Sequence, residues 1–273
     1  GKYTIGPADV VAGYTAREGF PDIAGVHCVI LAENGGIARA LNAGVHEARR
    51  LDASHLLFLD QDSALPAGYV ERLLRAIEGR ASDTIAVPDV VGGARGLVER
   101  DGGEAFDPIQ SGQLMRADVF ERVGYFAESY FIDAVDSEFR VRARAAGVRF
   151  LQVKGADLVH SLGELVPITI FGRQLVLGGR RRHVVYHSPF RTYYMVRNSI
   201  TLVREHGKGN GRWMLRRTLK MAEMVVGCAV LAPDSAAQVR AIVAGARDGL
   251  RRRGGRIPPR TLSRITRSRT GHA

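Results

Sequence analysis

Two aspartates one residue apart close an apolar run: His55-Leu56-Leu57-Phe58-Leu59 leads directly into Asp60-Gln61-Asp62-Ser63. A run with no solvent-facing polar position reads as a strand buried on both faces, as in a parallel sheet covered by helices. Ligands of such sheets collect beyond the carboxyl ends of the strands. Two carboxylates at that place can share one hard divalent cation, Mg²⁺ or Mn²⁺, held partly by a substrate's phosphates. A solvated turn that caps the next helix accounts for the same spacing. A second acidic group, Asp133-Ala134-Val135-Asp136-Ser137-Glu138, follows the apolar Tyr130-Phe131-Ile132. Acids in a first helical turn satisfy free N–H groups and the helix dipole, yet three carboxylates in six residues exceed what capping requires. His160 ends a later apolar run; a histidine there is either structural or a nitrogen ligand for a metal.

These residues need a frame, and the surrounding pattern supplies an α/β one. Val26 to Ala32 reads as a buried strand, Glu33 to Gly36 as a turn, and Ile37 to Arg50 as a helix. That order can present backbone N–H groups to a phosphate, or the glycines simply make a tight turn. After Ser63 comes a helix with Pro66 at its first position and Val70, Leu73, Leu74 and Ile77 on one face. Thr84 to Val87 is a short strand closed by Pro88, and Asp89 to Asp107 a Gly-rich surface loop. A short helix spans Ala117 to Val123, and another runs from the second acidic group to Ala146. Val148 to Val153 and Ala156 to Val159 are expected as two strands. Gly178 to Arg182 reads as an exposed basic turn. Helices follow over Phe190–Arg204, Arg212–Ala232 and Gln238–Arg253, and the last 20 residues are expected to be disordered.

The charge is uneven. The chain of 273 residues carries a net +11, but from Arg204 onward there are 16 Lys/Arg against 4 Asp/Glu, so the preceding residues are close to neutral. A basic segment of this kind implies a polyanionic partner. Trp213 apart, it lacks the aromatics that stack on single-stranded bases, which favours an anionic membrane surface over nucleic acid. The longest apolar run, Met224 to Ala232, is well short of the roughly 20 residues needed to cross a bilayer. Cys28 and Cys228 read as buried free thiols in a reducing compartment. The expected location is cytoplasmic, peripheral at the inner face of the plasma membrane.

Assembled in order, the motifs resemble those of family 2 glycosyltransferases, and among them the bacterial rhamnosyltransferases. Asn34-Gly35-Gly36-Ile37-Ala38 with Ala40, Leu41, Asn42 and Gly44 is similar to the N-x-G-I-A-x-A-x-N-x-G segment of that family, and Leu59 to Ser63 to its L-D-Q-D-S. Ser111-Gly112, Phe131 to Phe139, His160, the Arg191-x-Tyr193-Tyr194-x-x-Arg197-Asn198 set and Ala244-Gly245 with Asp248-Gly249 follow in the family's order. The resemblance covers about residues 26–255. It implies an α/β fold of the GT-A type, a Rossmann-like mixed sheet sandwiched by helices, with a C-terminal helical extension. It divides the chain into a catalytic domain over 1–203, a basic helical extension over 204–255 and a basic tail over 256–273. The family also opens with a strand and a D-N-G-S-like sequence that residues 1–25 do not match, so the N-terminal part of the donor-binding half is expected to be incomplete.

The resemblance implies inverting transfer of a sugar, L-rhamnose from dTDP-L-rhamnose, to a lipid-linked or growing cell-surface glycan. It makes Asp136 the base, with Asp133 in reserve, and Asp60, Asp62 and His160 the holders of Mg²⁺ or Mn²⁺. Asn34, Gly36, Asn42, Asp60, Ser111 and Gly112 would bind the donor; Glu138, Arg191 and Arg197 would bind the acceptor. Two other readings use the same features. One is a nucleotidyltransferase, although the Gly-rich phosphate loop with Lys/Arg that such enzymes carry near the first strand is absent. The other is a degenerate transferase or basic binding protein.

Overall fold

The computed structural model describes residues 10–14, 26–80, 82–98, 104–160, 164–167, 169–170, 173–178, 180–181 and 183–267. The chain forms two compact units, one of residues 1–131 and 135–160, the other of residues 132–134 and 161–273.

The first unit opens with β1 (Val10–Tyr14) and β2 (Val26–Ile30), paired in parallel. β1 lies in a stretch where the sequence offered no readable element. Helix α1 (Ile37–Arg50) follows, then β3 (His55–Leu57), α2 (Tyr69–Ile77), β4 (Thr84–Val91) and β5 (Ala94–Arg95). β6 (Leu114–Arg116), α3 (Val119–Val123), α4 (Val135–Ala145) and β7 (Arg149–Leu158) complete it. The sheet runs β3-β6-β4-β5, with β7 parallel to β4 and the other pairs antiparallel. It is a mixed sheet with helices against it.

The apolar run at 55–59 therefore lies beside an antiparallel neighbour, and only Leu56 and Phe58 of it are buried. β4 continues past Pro88, where its register against β7 shifts before resuming at Val90; an irregularity at that point is what a missing N–H imposes. The two strands expected over 148–159 are one, β7. Pro66 does not open α2: the turn Pro66–Tyr69 precedes it, with Gly68 as its cap.

The α2 residues Tyr69, Leu73 and Ile77 pack on Ala86, Leu114, Val153, Ala156 and Leu158 of the sheet. A second cluster is aromatic. Phe126 lies 4.6 Å from Phe139 of α4 and 5.6 Å from both Phe58 and Phe120, measured between ring centroids. Such ring pairs add to area burial and favour definite orientations.

The second unit begins with short antiparallel pairs: β8 (Glu164–Pro167) with β13 (His183–Tyr186), β9 (Thr169–Ile170) with β10 (Arg173–Gln174), and β11 (Val176–Leu177) with β12 (Arg180–Arg181). The helices α5 (Pro189–His206), α6 (Gly211–Leu231), α7 (Ser235–Leu250) and α8 (Pro259–Thr266) follow. α5 and α7 approach closely because Gly245 and Gly249 carry no side chain: a Cβ at either would stand 2.5 Å from the Tyr193 carbonyl oxygen or 2.9 Å from that of Arg197. The Tyr193 hydroxyl donates to the fully buried Asp248 (2.9 Å).

Residues 256–267 carry the helix α8 and buried side chains, which corrects the expectation of disorder for that part of the tail; residues 268–273 lie outside the described residues. Ile257 and Ile265 are buried, the Ile257 N–H donates to the Tyr194 hydroxyl (2.7 Å), and Arg240 donates to the carbonyls of Arg264 and Arg267. Two buried isoleucines in a run of arginines are enough to anchor a short helix, and the net charge concealed them. Cys228 is buried as expected, whereas Cys28 is exposed. No helix among the described residues is long and apolar enough to cross a membrane.

Candidate active site

The loop after β3 owes its shape to hydrogen bonds from distant segments. The Phe58 N–H donates to the Gln113 carbonyl (3.1 Å) and the Gly112 N–H to the Phe58 carbonyl (2.7 Å), extending the β3–β6 pairing by one step. This brings the buried Ser111 beneath the acidic turn. Its Oγ accepts from the Asp60 N–H (3.0 Å) and lies 2.7 Å from Ser63 Oγ, which is itself 3.0 Å from His160 Nδ1. Ala64 and Val159 exchange both backbone hydrogen bonds (2.9 and 3.2 Å) and so seat His160, the residue after Val159, beside the turn. His160 Nδ1 stands 3.4 Å from Asp62 Oδ1. One ligand atom from each of Asp60, Asp62 and His160 lies within 4.8 Å of the others.

Two carboxylates and an imidazole at this separation fit a small divalent ion. Metal–oxygen bonds of roughly 2.0–2.6 Å leave ligand atoms about 3–5 Å apart, with remaining positions open to phosphate oxygens. Asp62 is half exposed and can meet a ligand from solvent, while His160 is largely covered. The tertiary structure thus brings together the three residues the sequence nominated for metal. It also reveals what the sequence did not: Ser63 and Ser111 organise the turn through their hydroxyls, and Ser111 does so from a buried position.

The second acidic group sits on an unusual backbone. Phe131, Asp133 and Ala134 have φ of 64°, 62° and 60°, a region that costs non-glycine residues about 1 kcal/mol or more each. Within the second unit the Asn198 amide donates to the carbonyls of both Ile132 and Asp133 (2.7 Å each), and Asn198 Oδ1 accepts from Arg197 Nε (2.9 Å). Arg191 donates through Nε and Nη2 to Asp133 Oδ1 (3.3 and 2.9 Å). Asp133 is therefore already engaged by a cation.

Asp136, at the second position of α4, accepts from the Ser137 N–H (2.8 Å) and is partly exposed. Phe139, one turn later, is held in the aromatic cluster that also holds Phe58. The strand end bearing Asp60 and Asp62 and the helix bearing Asp136 are thus fixed to one core.

Three of the expected contact residues are engaged inside the protein. Asn42 is buried and its amide is used inside the protein: Nδ2 donates to the Phe126 carbonyl and to Glu128 (3.0 Å each), and Oδ1 accepts from the Phe126 N–H (2.9 Å). Glu138 is buried and holds Arg142 through both oxygens (2.6 and 2.8 Å). Arg197 is buried, with its guanidinium 4.6 Å from the Tyr194 ring centroid and donating to the Gly255 carbonyl.

The Asn34–Gly36 turn is likewise internally satisfied. Asn34 Oδ1 accepts from the Gly36 N–H (3.0 Å), and the Ile37 N–H donates to the Phe131 carbonyl (2.7 Å). Gly36 has φ of 88°, and a Cβ there would stand 2.3 Å from the Phe131 carbonyl oxygen. Gly36→Ala combines a left-handed penalty with a backbone clash and is expected to cost about 2–4 kcal/mol. A thermal melt checks it, with a Tm lowered by roughly 5–10 °C in a chain of this size.

Comparison with known proteins agrees with this architecture. The profile of glycosyl transferase family 2 matches residues 10–132, which include β1 and the Asp60–Asp62 turn. The dTDP-rhamnosyl transferase RfbF of Shigella flexneri is 29% identical over 212 residues, covering 71% of this chain and 68% of that protein. Residues 10–132 are thus similar to family 2 glycosyltransferases, and the chain is similar in sequence to a rhamnosyl transferase. The structure of S. aureus TarS 1-349 superposes on 82% of this chain with a TM-score of 0.50 at 13% identity, and that of TarS 1-349 in complex with UDP on 87%, also at 0.50 and 13%. This chain spans 64% and 65% of those two, just under two thirds. At that identity the likeness concerns the fold, which is of the GT-A glycosyltransferase type. The family 2 match also covers the acidic turn that β3 presents.

Proposed function

We propose that this protein transfers a sugar with inversion from a nucleotide-activated donor, dTDP-L-rhamnose, to a hydroxyl of a lipid-linked or growing cell-surface glycan. The observation that carries the reading is the Asp60–Asp62–His160 cluster, held by the Ser63–Ser111 hydroxyl pair, in a chain similar to family 2 glycosyltransferases over residues 10–132. The rhamnosyl transferase relative supports the donor, and the UDP-bound TarS structure supports a nucleotide as its carrier.

Asp60, Asp62 and His160 would hold Mg²⁺ or Mn²⁺. When bound, the ion supplies positive charge to the departing diphosphate. Asp136 takes the proton of the acceptor hydroxyl as its oxygen attacks the anomeric carbon from the face opposite the diphosphate. The new glycosidic bond forms, the bond from carbon to the diphosphate oxygen breaks, and the nucleoside diphosphate leaves with the electron pair. Asp133, with one oxygen engaged by Arg191, is the lesser candidate for the base. Asn34, Gly36 and Gly112 would contact the donor through their backbone.

Titration of the purified chain with dTDP-rhamnose, with and without Mn²⁺, tests the reading. Metal-dependent saturable binding is expected, together with slow release of dTDP on adding a glycan acceptor. Equal binding with and without the ion removes the metal assignment, and no binding at all removes the donor.

A further inference from the structure

Helix α6 buries one face and leaves another apolar face in solvent. Trp213, Met214, Arg217, Val225 and Cys228 point inward. Leu215, Leu219, Val226 and Val230 are 62%, 61%, 57% and 69% exposed, and Ala222 between them is exposed as well. Steps of four, three, four and four residues keep these five on one line of a helix, about 22 Å long at 1.5 Å per residue. Single exposed apolar side chains are ordinary, but a continuous row is a contact surface.

The edge of the row is basic. At 100° per residue Arg212, Arg216 and Lys220, all exposed, follow one side of it, and Glu223 is the only acid of the helix. The neighbouring α7 has a similar row, Val239, Val243 and Leu250, each at least 50% exposed. From Arg204 onward the chain carries 16 Lys/Arg against 4 Asp/Glu.

We propose that the outer face of α6 is an interfacial membrane anchor for anionic bilayers, lying flat with the Leu215–Val230 row among the acyl chains and Arg212, Arg216 and Lys220 at the headgroups. The charge selects this occupant over a second copy of the chain, since pairing two such faces brings together two edges that each carry three cations, Arg212, Arg216 and Lys220, and one acid, Glu223. The helix is too polar to span, and a row along one face requires only burial to the depth of the headgroup boundary. The proposal is independent of the transfer reading, because it needs neither donor nor acceptor.

Flotation of the full chain with phosphatidylcholine vesicles, with and without phosphatidylglycerol, tests it. Binding should appear with the anionic lipid and weaken as salt is raised. The exposed pair Leu219→Glu and Val226→Glu together should reduce it by about tenfold or more, and Arg212→Glu with Arg216→Glu by a similar factor. Circular dichroism and dTDP-rhamnose titration of the same variants report on folding and on the donor site separately. No flotation of the native chain, equal flotation without anionic lipid, or undiminished flotation of the Leu219/Val226 variant would overturn the proposal. So would a native dimer in sedimentation that this variant turns into a monomer while still floating as before.

Discussion

Asp136→Asn is expected to lower turnover by about 10²–10⁴-fold, the range of a positioned general base, while leaving metal-dependent donor binding intact. The substitution keeps the volume and the acceptor oxygen that meets the Ser137 N–H, so α4 should keep its start. The comparison that decides the assignment is Asp133→Asn. Removing that charge disturbs the Arg191 contact and the backbone held by Asn198, so it should lower the melting temperature as well as the rate. Normal turnover in Asp136→Asn, with a loss confined to Asp133→Asn, would reverse the two roles. Single-turnover measurement at saturating donor gives the chemical step free of donor affinity.

The second large effect is expected at Asp62. Asp62→Ala removes one of three ligand side chains from a site whose other two, Asp60 and His160, stay in place through Ser111, Ser63 and the Ala64–Val159 bridge. The metal-dependent part of donor binding should disappear, and kcat/KM should fall on the order of 10²–10³-fold, as when one preorganised electrostatic element is taken from a transition state. Asp62 is half exposed, so stability should hardly change, and a melt shows whether it does. Ser111→Ala is the companion measurement. It leaves all three ligands but removes the hydroxyl between Asp60 and Ser63, so metal affinity should weaken without being lost. If Asp62→Ala retains full metal-stimulated binding, the acidic turn is a cap and nothing more.

Local signals were sufficient for several features. Apolar runs marked β2, β3 and the first half of β4. Apolar spacing with Gly and Pro boundaries marked α1, α2 and the four-helix order of α4 to α7 to within a few residues. The type and spacing of Asp60, Asp62 and His160 picked out three residues that the fold brings together, and order along the chain carried a resemblance that the family 2 profile shares over residues 10–132. Each of these is written in neighbours a few residues apart, which is the range over which backbone geometry and amphipathic periodicity act.

What the sequence by itself determined, then, was most of the helices, several strands and which residues could react. Only the tertiary structure decided which of them are already spent. Asn42 and Arg197 carry groups suited to a ligand, yet each is buried against partners that the fold supplies, the Phe126 backbone 84 residues from Asn42 and the Gly255 carbonyl 58 residues from Arg197. His160 reaches Asp62 across 98 positions of sequence only because Ala64 and Val159 pair. Residues 256–267 fold with Ile257 and Ile265 buried and the Ile257 N–H on the Tyr194 hydroxyl of α5, a contact the arginines around them gave no sign of. A buried polar group must be satisfied wherever its partner lies in the chain, and partners so far apart leave no periodicity to read.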